Sequence, residues 1–412
     1  MEIINYFINI IKEIIKCINT IEFFIILFGF LILYNIFIYL FKNKKNLRIA
    51  KNFKDPEEIK LENLKNLPLV NIIIPAWKEG ESFKNNLLSI TKLKYPNIRT
   101  IVNAGGDDKT IDIANEYKNN KNFIILKQEK GPYLIQGQNK IRALNNCFEY
   151  VSEGILYLID ADCYLTDDIL LRMIYPIINN NEKIINGNSR PILYQEKSDL
   201  VKYIQLSRFD FIDYKIVRYT TEGISGSNAC LSYDVLKAIG KFSENKLVIE
   251  ELSRGKDIAD HGFRGYNLID YRSYIFTEFP STLKELYHAR SRYIKYKFLY
   301  SLQTKKKNYI ISILMLFLIS IYITLLPILF FIQFGFFLIG ILIFLNLYFK
   351  KIRKYYGFKS VIDKQFYETF HFSFFLKMFI YIYIEILFNI RIMFELFLFI
   401  IKCRKEKATK IS

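Results

Sequence analysis

Ile155-Leu156-Tyr157-Leu158-Ile159-Asp160-Ala161-Asp162 is a five-residue apolar run that ends in two acids. Its length and composition are those of a strand buried on both faces. Carboxylates at i and i+2 of an extended backbone project to the same side, so Asp160 and Asp162 can share one hard divalent cation and, through it, a diphosphate. A solvated loop after a buried strand would read the same way, so the flanking sequence has to decide.

Outward from this stretch, short β-branched runs alternate with helical patterns. Strand-like segments at 69–74, 100–103 and 123–126 precede 155–159, and helical segments at 81–93, 110–118 and 139–150 lie between them. This alternation predicts a mostly parallel sheet covered on both faces, with ligands at the carboxyl ends of its strands. The marked residues fall there: Pro75 to Glu79, Asn103 to Asp108, and Asp160 to Asp162. The chain has no Gly-x-Gly-x-x-Gly or Walker loop, which argues against dinucleotide and NTPase readings.

On either side of this region the composition changes. The stretch from Glu22 to Phe41 is apolar after its first residue except for Asn35, Tyr34 and Tyr39, and about 20 such residues match a hydrocarbon core of about 30 Å. Lys42, Lys44, Lys45, Arg48 and Lys51 follow in place of a small-residue cleavage site, so the segment reads as a span with its amino end outside and the rest of the chain entering the cytoplasm. Residues 309–349 are too long for one span, contain Pro327, Gln333 and Gly335 near their middle, and have Lys305 to Lys307 and Lys350 to Lys354 at their two ends. They read as a helical hairpin. Residues 371–401 carry Lys377, Glu385, Asn389, Arg391 and Glu395 within about half of the helical circumference, which suits an amphipathic helix lying in the interface. A further span with its polar side in a bundle is the alternative.

The 412 residues are 51% apolar and carry a net charge of +18, with much of that charge flanking the apolar segments. The aromatic residues concentrate in those segments and do not interleave with Lys and Arg, so an anionic membrane face explains the charge and no nucleic-acid partner is expected. Five Cys and three His are scattered without metal-ligand spacing, which excludes a zinc site and a disulfide framework.

The blocks Ile74-Pro75-Ala76-Trp77-Lys78-Glu79, Gly105-Gly106-Asp107-Asp108-Lys109-Thr110, Asn139-Lys140-Ile141-Arg142-Ala143-Leu144-Asn145 and Asp160-Ala161-Asp162 occur in a telling order. Gly226-Ser227-Asn228, Glu250-Glu251, Gly262-Phe263 and Ala289-Arg290-Ser291-Arg292-Tyr293 continue it. Together they resemble a membrane-anchored family 2 glycosyltransferase of GT-A fold, related to the cellulose/hyaluronan synthase-like and ceramide glucosyltransferase-like groups. The resemblance covers roughly residues 67–300. It implies an α/β, Rossmann-like mixed sheet flanked by transmembrane helices. The expected organisation is a membrane anchor over 1–48 with its span at about 22–41, a cytoplasmic catalytic domain over 67–300, a transmembrane hairpin over 308–350, and an amphipathic interfacial or transmembrane helix over 370–402.

Residue roles follow from the same resemblance. Asp162 is the expected metal ligand, with Asp160 its partner near the ribose or metal, and Mg²⁺ or Mn²⁺ suits their oxygens. Pro75 and Glu79 resemble the element that holds the nucleobase, with Trp77 in support. The family's Asp pair is Asn103-Ala104 here, which leaves Asp108 as the nearest acid. Lys140 is expected at a phosphate, and Gly226, Ser227 and Asn228 at the acceptor. The general base should lie in Glu250-Glu251, with Glu251 in the family's Asp position and Asp257 and Asp260 as weaker candidates. Two acids at a helix start also favour its positive end, so this pair has a structural reading too. Of the family's Gln-x-x-Arg-Trp motif only Arg292 is kept, as a diphosphate contact, with Tyr293 in the Trp position to stack on the acceptor.

The sequence therefore predicts an inverting transferase in the cell membrane, multi-pass, with its catalytic domain cytoplasmic. Its donor is a nucleoside-diphosphate sugar, with a UDP-sugar the first expectation, and its acceptor is a lipid or glycan at the membrane, the lipid-linked form expected first. A processive polysaccharide synthase, a non-catalytic membrane protein on a decayed transferase fold, and a sugar nucleotidyltransferase are the competing readings.

Overall fold

The computed structural model describes residues 20–43, 58–131, 136–208, 218–220, 224–244, 249–305, 307–361 and 372–408, with isolated positions at 6, 9, 10, 12, 13, 16 and 45. The cations Lys44, Arg48, Lys51 and Lys306 lie outside the described residues. In chain order the elements begin with α1 (Ile21–Ile38), β1 (Val70–Trp77), α2 (Glu81–Thr91), β2 (Ile98–Gly105), α3 (Asp108–Asn115), β3 (Phe123–Gln128), α4 (Gln136–Phe148) and β4 (Ile155–Ile159). They continue with β5 (Cys163–Tyr164), α5 (Asp167–Asn180), β6 (Ile184–Asn186), β7 (Ser189–Pro191), α6 (Asp199–Arg208), β8 (Tyr219–Thr220), β9 (Asn228–Ser232), α7 (Tyr233–Ile239) and α8 (Glu250–Asp260). After β10 (Gly265–Asn267) and β11 (Ile275–Thr277) the chain is helical: α9 (Leu283–Thr304), α10 (Lys307–Thr324), α11 (Leu326–Ile332), α12 (Phe334–Val361) and α13 (Phe372–Ala408).

The chain divides into two compact units. One comprises residues 50–196 and 216–279; the other comprises 1–49, 197–215 and 280–412. The expected continuous domain over 67–300 is therefore interrupted. Both α6 and α9 belong to the helical unit, because Tyr287 and Ile294 of α9 bury themselves against Ile313 and Phe317 of α10 and Ile392 and Leu396 of α13.

In the α/β unit an eight-stranded sheet has the order β3-β2-β1-β4-β9-β6-β10-β8, and a small second sheet has the order β5-β11-β7. Strands β3, β2, β1 and β4 are parallel, whereas β9 runs antiparallel to both β4 and β6. Alternate residues of each strand face opposite sides. Ile72, Ile74, Tyr157 and Ile159 enter one apolar cluster, and Ile73, Ile101, Leu156 and Leu158 enter the other. This two-sided core is what the uninterrupted apolar run at 155–159 requires, and β4 has the predicted bounds.

The predicted strands extend further at their carboxyl ends, β1 to Trp77 and β2 to Gly105. Pro75 is tolerated inside a central strand because β1 pairs with β4 only over Val70 to Ile73. Beyond that point its ladder is with β2 alone, Pro75 standing opposite Asn103.

Among the described residues of the helical unit, four helices are long and apolar enough to cross a membrane: Ile21–Phe41, Lys307–Thr324, Phe334–Tyr356 and Phe372–Leu398. Over the segment expected as a hairpin the chain forms α10, the short α11 and α12, with breaks at Leu325 and Gln333. The polar stripe of α13 is spent inside its own unit. Arg290 of α9 pairs with Glu385 at 3.2 Å and donates to Asn389 at 2.8 Å, Lys295 pairs with Glu395 at 2.9 Å, and Lys377 pairs with Asp199 of α6 at 2.5 Å. The opposite side shows Phe372, Phe394 and Phe397, each at least 60% exposed.

Candidate functional site

The acids Asp160 and Asp162 leave β4 where the neighbouring strand β1 is still running, so they stand at the carboxyl edge of the parallel half of the sheet. Three loops meet them. The first follows β1: Lys78 adopts a left-handed φ of 59° while its N–H donates to Gly105 O at 3.0 Å. The Glu79 N–H donates to the Thr110 hydroxyl at 2.7 Å, and that hydroxyl donates to Asp107 at 2.6 Å. The loop after β2 is made by two glycines. A Cβ on Gly105 would stand 2.1 Å from Gln128 O, and Gly106, at φ +95°, leaves room for the Trp77 ring, 2.9 Å from where its Cβ would be.

The third group converges on Gly226. Lys140 of α4 places its Nζ 2.5 Å from Asp160 Oδ1, 3.2 Å from Glu250 Oε1 and 3.3 Å from Gly226 O. Glu250 is also gripped by Arg254, one turn along α8, at 2.8 Å, and Arg254 is wholly buried. Glu251 accepts from Gly226 N–H at 3.3 Å. A Cβ on Gly226 would lie 2.9 Å from Glu251 Oε1 and 3.3 Å from both Glu250 Oε1 and Lys140 Nζ, so only a bare backbone lets these three side chains meet.

The charges perturb one another. Removal from water raises Asp160 to about 6; Lys140 opposes that shift, and Asp162 and Glu250 add to it. Burial also raises Asp162, against a hydrogen bond from Thr277. Glu79 is pushed up to about 7 by burial and then by Asp162 and Asp160. Burial alone would lower the Lys140 ammonium, but Asp160 and Glu250 together hold it above its ordinary value. Glu250 is held low because Lys140 and Arg254 outweigh its burial. Glu251 is raised, by the desolvation its surroundings impose and then by Glu250, although the residue keeps solvent exposure. Neighbouring acids thus sit on opposite sides of their ordinary range, a hallmark of functional sites.

The paired carboxylates suit a hard cation. Raised, crowded carboxylates relieve their repulsion on binding one, and Mg²⁺ needs only one or two from the protein when phosphate and water complete its shell. Among the described residues no third Asp, Glu, His or Cys joins Asp160 and Asp162 in a metal-holding group.

Several expectations are corrected. Asn228 is no acceptor contact: it is fully buried, donates to Asn188 O and Ser273 O at 2.8 and 2.9 Å, and accepts from Tyr157 OH at 2.7 Å. Its amide is consumed in fastening β9. Asp108 is exposed on the first turn of α3, while Asp107 caps that helix by accepting from Thr110 N–H at 2.9 Å. Asn103, at the family's Asp position, is buried and donates to Ala143 O, tying α4 to β2. Asp257 accepts from the backbone and hydroxyl of Ser243, and Asp260 pairs with Lys256 on the surface, which removes both as base candidates. Lys140, expected at a phosphate, lies between the carboxylates of Asp160 and Glu250. Ser227 offers its carbonyl to Cys163 Sγ at 3.8 Å. Arg292 and Tyr293 are exposed on α9 of the helical unit. Sequence reasoning missed Arg254 and Thr277. The first stands at i+4 from Glu250, a legible helical pair; the second has no local signal.

Residues 71–240 match the family model Glycosyl transferase family 2. A probable glycosyltransferase of Bacillus subtilis, YdaM, is 26% identical over 196 residues, which is 45% of this chain and 46% of the relative. The poly-beta-1,6-N-acetyl-D-glucosamine synthase of Staphylococcus epidermidis is 26% identical over 192 residues, 45% of this chain and 44% of the relative. The matches therefore span under half the length of these relatives. Among solved structures, the Pyrobaculum calidifontis mannosyltransferase PcManGT, in complex with GDP-Man and Mn²⁺, aligns with a TM-score of 0.47 and 12% identity over 87% of this chain and 97% of that one. Most of the matched segment lies in the α/β unit, whose mixed sheet holds Asp160 and Asp162 at the end of β4.

Proposed function

We propose that the protein is a membrane-anchored, inverting glycosyltransferase that moves a sugar from a nucleoside-diphosphate sugar, a UDP-sugar in the first instance, to a lipid-linked acceptor at the cytoplasmic face of the cell membrane. The observation that carries this reading is the meeting of Asp160, Lys140, Glu250 and Glu251 around Gly226, in a unit whose residues 71–196 and 216–240 fall in the family 2 match. The acceptor oxygen attacks the sugar C1, the bond from C1 to the diphosphate oxygen breaks on the opposite face, and the acceptor proton passes to Glu251. Glu251 suits that step because Glu250 takes the ion pairs, and its raised pKa brings it closer to the operating range of a general base. Lys140 supplies fixed positive charge beside the leaving diphosphate, and Glu250 with Arg254 sets its position. Asp162, with Asp160, would hold Mg²⁺ or Mn²⁺, which supplies charge neutralisation for the diphosphate when bound. Glu79 and Pro75 shape the nucleobase side, Gly226 and Ser227 the acceptor side. Arg292 and Tyr293 are retained as proposals for the diphosphate and acceptor on the family resemblance.

A processive polysaccharide synthase is the second reading, favoured by the name of the Staphylococcus epidermidis relative. The test is a panel of nucleotide-sugar donors given to membranes containing the protein, with lipid extract as acceptor and product length read by gel. Metal-dependent transfer of single sugars is expected, with Asp162→Asn and Glu251→Gln inactive. Metal-independent turnover, or none with any donor, sinks the proposal; long polymers would select the second reading.

A further inference from the structure

Among the described residues of the α/β unit, the two most exposed large apolar side chains are adjacent: Leu193 at 63% and Tyr194 at 67%. They lie on the turn that follows β7, and this turn is fastened to the end of β11. The Ile192 N–H donates to Thr277 O at 3.2 Å. Gln195 clamps Phe279, accepting from its N–H at 2.9 Å and donating to its carbonyl at 3.3 Å. The Tyr194 hydroxyl donates to Glu278 at 3.2 Å. Ordering such a turn costs conformational entropy while its two apolar side chains gain no burial, which points to a ligand that covers them.

The small sheet sets where the pair stands. Thr277 of β11 has Cys163 of β5 opposite it on one side and Pro191 of β7 on the other. The Thr277 side chain hydrogen-bonds Asp162, and Asp162 is raised first by burial and also by the charge of the exposed Glu278. Glu278 and the turn it anchors therefore border the carboxylate assigned to the donor diphosphate. A tyrosine ring tied by its hydroxyl to a carboxylate offers an apolar face beside a hydrogen-bond acceptor. A pyranose has the complementary surfaces: its C–H face packs on the ring and its hydroxyls donate to the acid. A phosphate has no proton to donate to Glu278 and is repelled by it.

We propose that Leu193, Tyr194 and Glu278 form a platform for the terminal sugar of the acceptor, so that the attacking group is a hydroxyl of a neutral pyranose and not a bare lipid phosphate. The proposal rests on the transferase reading and names the end of the acceptor which that reading leaves open. The new bond joins the pyranose oxygen to the donor C1, the diphosphate leaves with its bridging oxygen, and the hydroxyl proton passes to Glu251.

The test uses the full chain in nanodiscs and reads two quantities separately. Saturation-transfer NMR with the methyl β-glycosides of glucose, galactose and N-acetylglucosamine, and with glycerol 3-phosphate as the phosphate-ended probe, reads the platform. Release of nucleoside diphosphate from the donor panel reads the transferase. At least one glycoside should bind in preference to glycerol 3-phosphate. Tyr194→Ala should weaken that binding by about tenfold, and Tyr194→Phe, which keeps the ring, by about threefold. Tyr150→Ala, an exposed aromatic elsewhere in the unit, should change nothing. Wild-type protein that binds no glycoside, a preference for glycerol 3-phosphate, or equal glycoside binding by Tyr194→Ala and wild type would each overturn the platform, whatever the donor assay shows. Tyr194-dependent glycoside binding with no release from any donor would sink the transferase reading and leave the sugar platform standing.

Discussion

At the start of α8 two adjacent acids live under opposite electrostatics: Arg254 and Lys140 grip Glu250, whereas Glu251 accepts one backbone hydrogen bond and is raised by its surroundings and by Glu250. The two amide substitutions should therefore separate chemistry from stability. Glu251→Gln is expected to lower transfer by about 10²- to 10⁴-fold, the usual worth of a general base. An acid whose folded pKa lies above its unfolded value gives stability that is present below the unfolded pKa and lost as pH rises through the folded one. Glu251→Gln should thus melt with the wild type in acid and above it at pH 8, and the acid limb of the wild-type rate profile should fall above the ordinary glutamate range. Glu250→Gln should instead strand the buried Arg254 and leave Lys140 with Asp160 alone, with a loss on the order of 3–5 kcal/mol in denaturant titration. A higher melting point for Glu250→Gln would refute its role as an anchor.

At the scale of elements, the site is a set of strand ends held at contact distance by glycines. Gly226→Ala puts its methyl against the flexible ends of Glu251, Glu250 and Lys140, which can yield without unfolding the domain. Transfer should fall about 10- to 100-fold, since a shift approaching 1 Å costs on the order of 10²-fold, while thermal melting stays near wild type. Gly105→Ala meets backbone at 2.1 Å and has no such outlet, so it should lower the melting temperature instead. The alternation of these elements was legible because buried β-branched runs and amphipathic helices differ in period, and β4 was read to the residue. Polar residues were harder. Asn228, Asn103 and Asp257 have the composition of site residues, yet each closes a hydrogen bond within the fold, and one sequence does not tell an amide facing a core from one facing a cleft. Thr277 reaches Asp162 from a strand distant in sequence, a juxtaposition that only the paired β5 and β11 create.

At the scale of the whole molecule, the proposed membrane topology turns on α13. Its acids are paired with cations of α9: Arg290→Ala would take the 3.2 Å ion-pair partner from Glu385, 14% exposed, and leave it Lys351 and Tyr203, at a cost of about 1.5–3 kcal/mol, whereas Lys284→Ala on the same helix should be silent in a thermal assay. Because that polar stripe is satisfied within the protein, length and apolar content allow α13 to span. The tail argues the other way: Lys402, Arg404, Lys405 and Lys407 would then lie outside, against the positive-inside rule, whereas an α13 lying along the cytoplasmic interface keeps them inside. The native cysteines make the choice measurable. Cys147, Cys163 and Cys230 are buried, which leaves Cys17 and Cys403 as reporters before and after the membrane segments. An impermeant maleimide should label Cys403 in inside-out vesicles and Cys17 in right-side-out ones, each confirmed by its Ser variant. Labelling of Cys403 from the same side as Cys17 would make α13 a fourth span and place the basic tail outside.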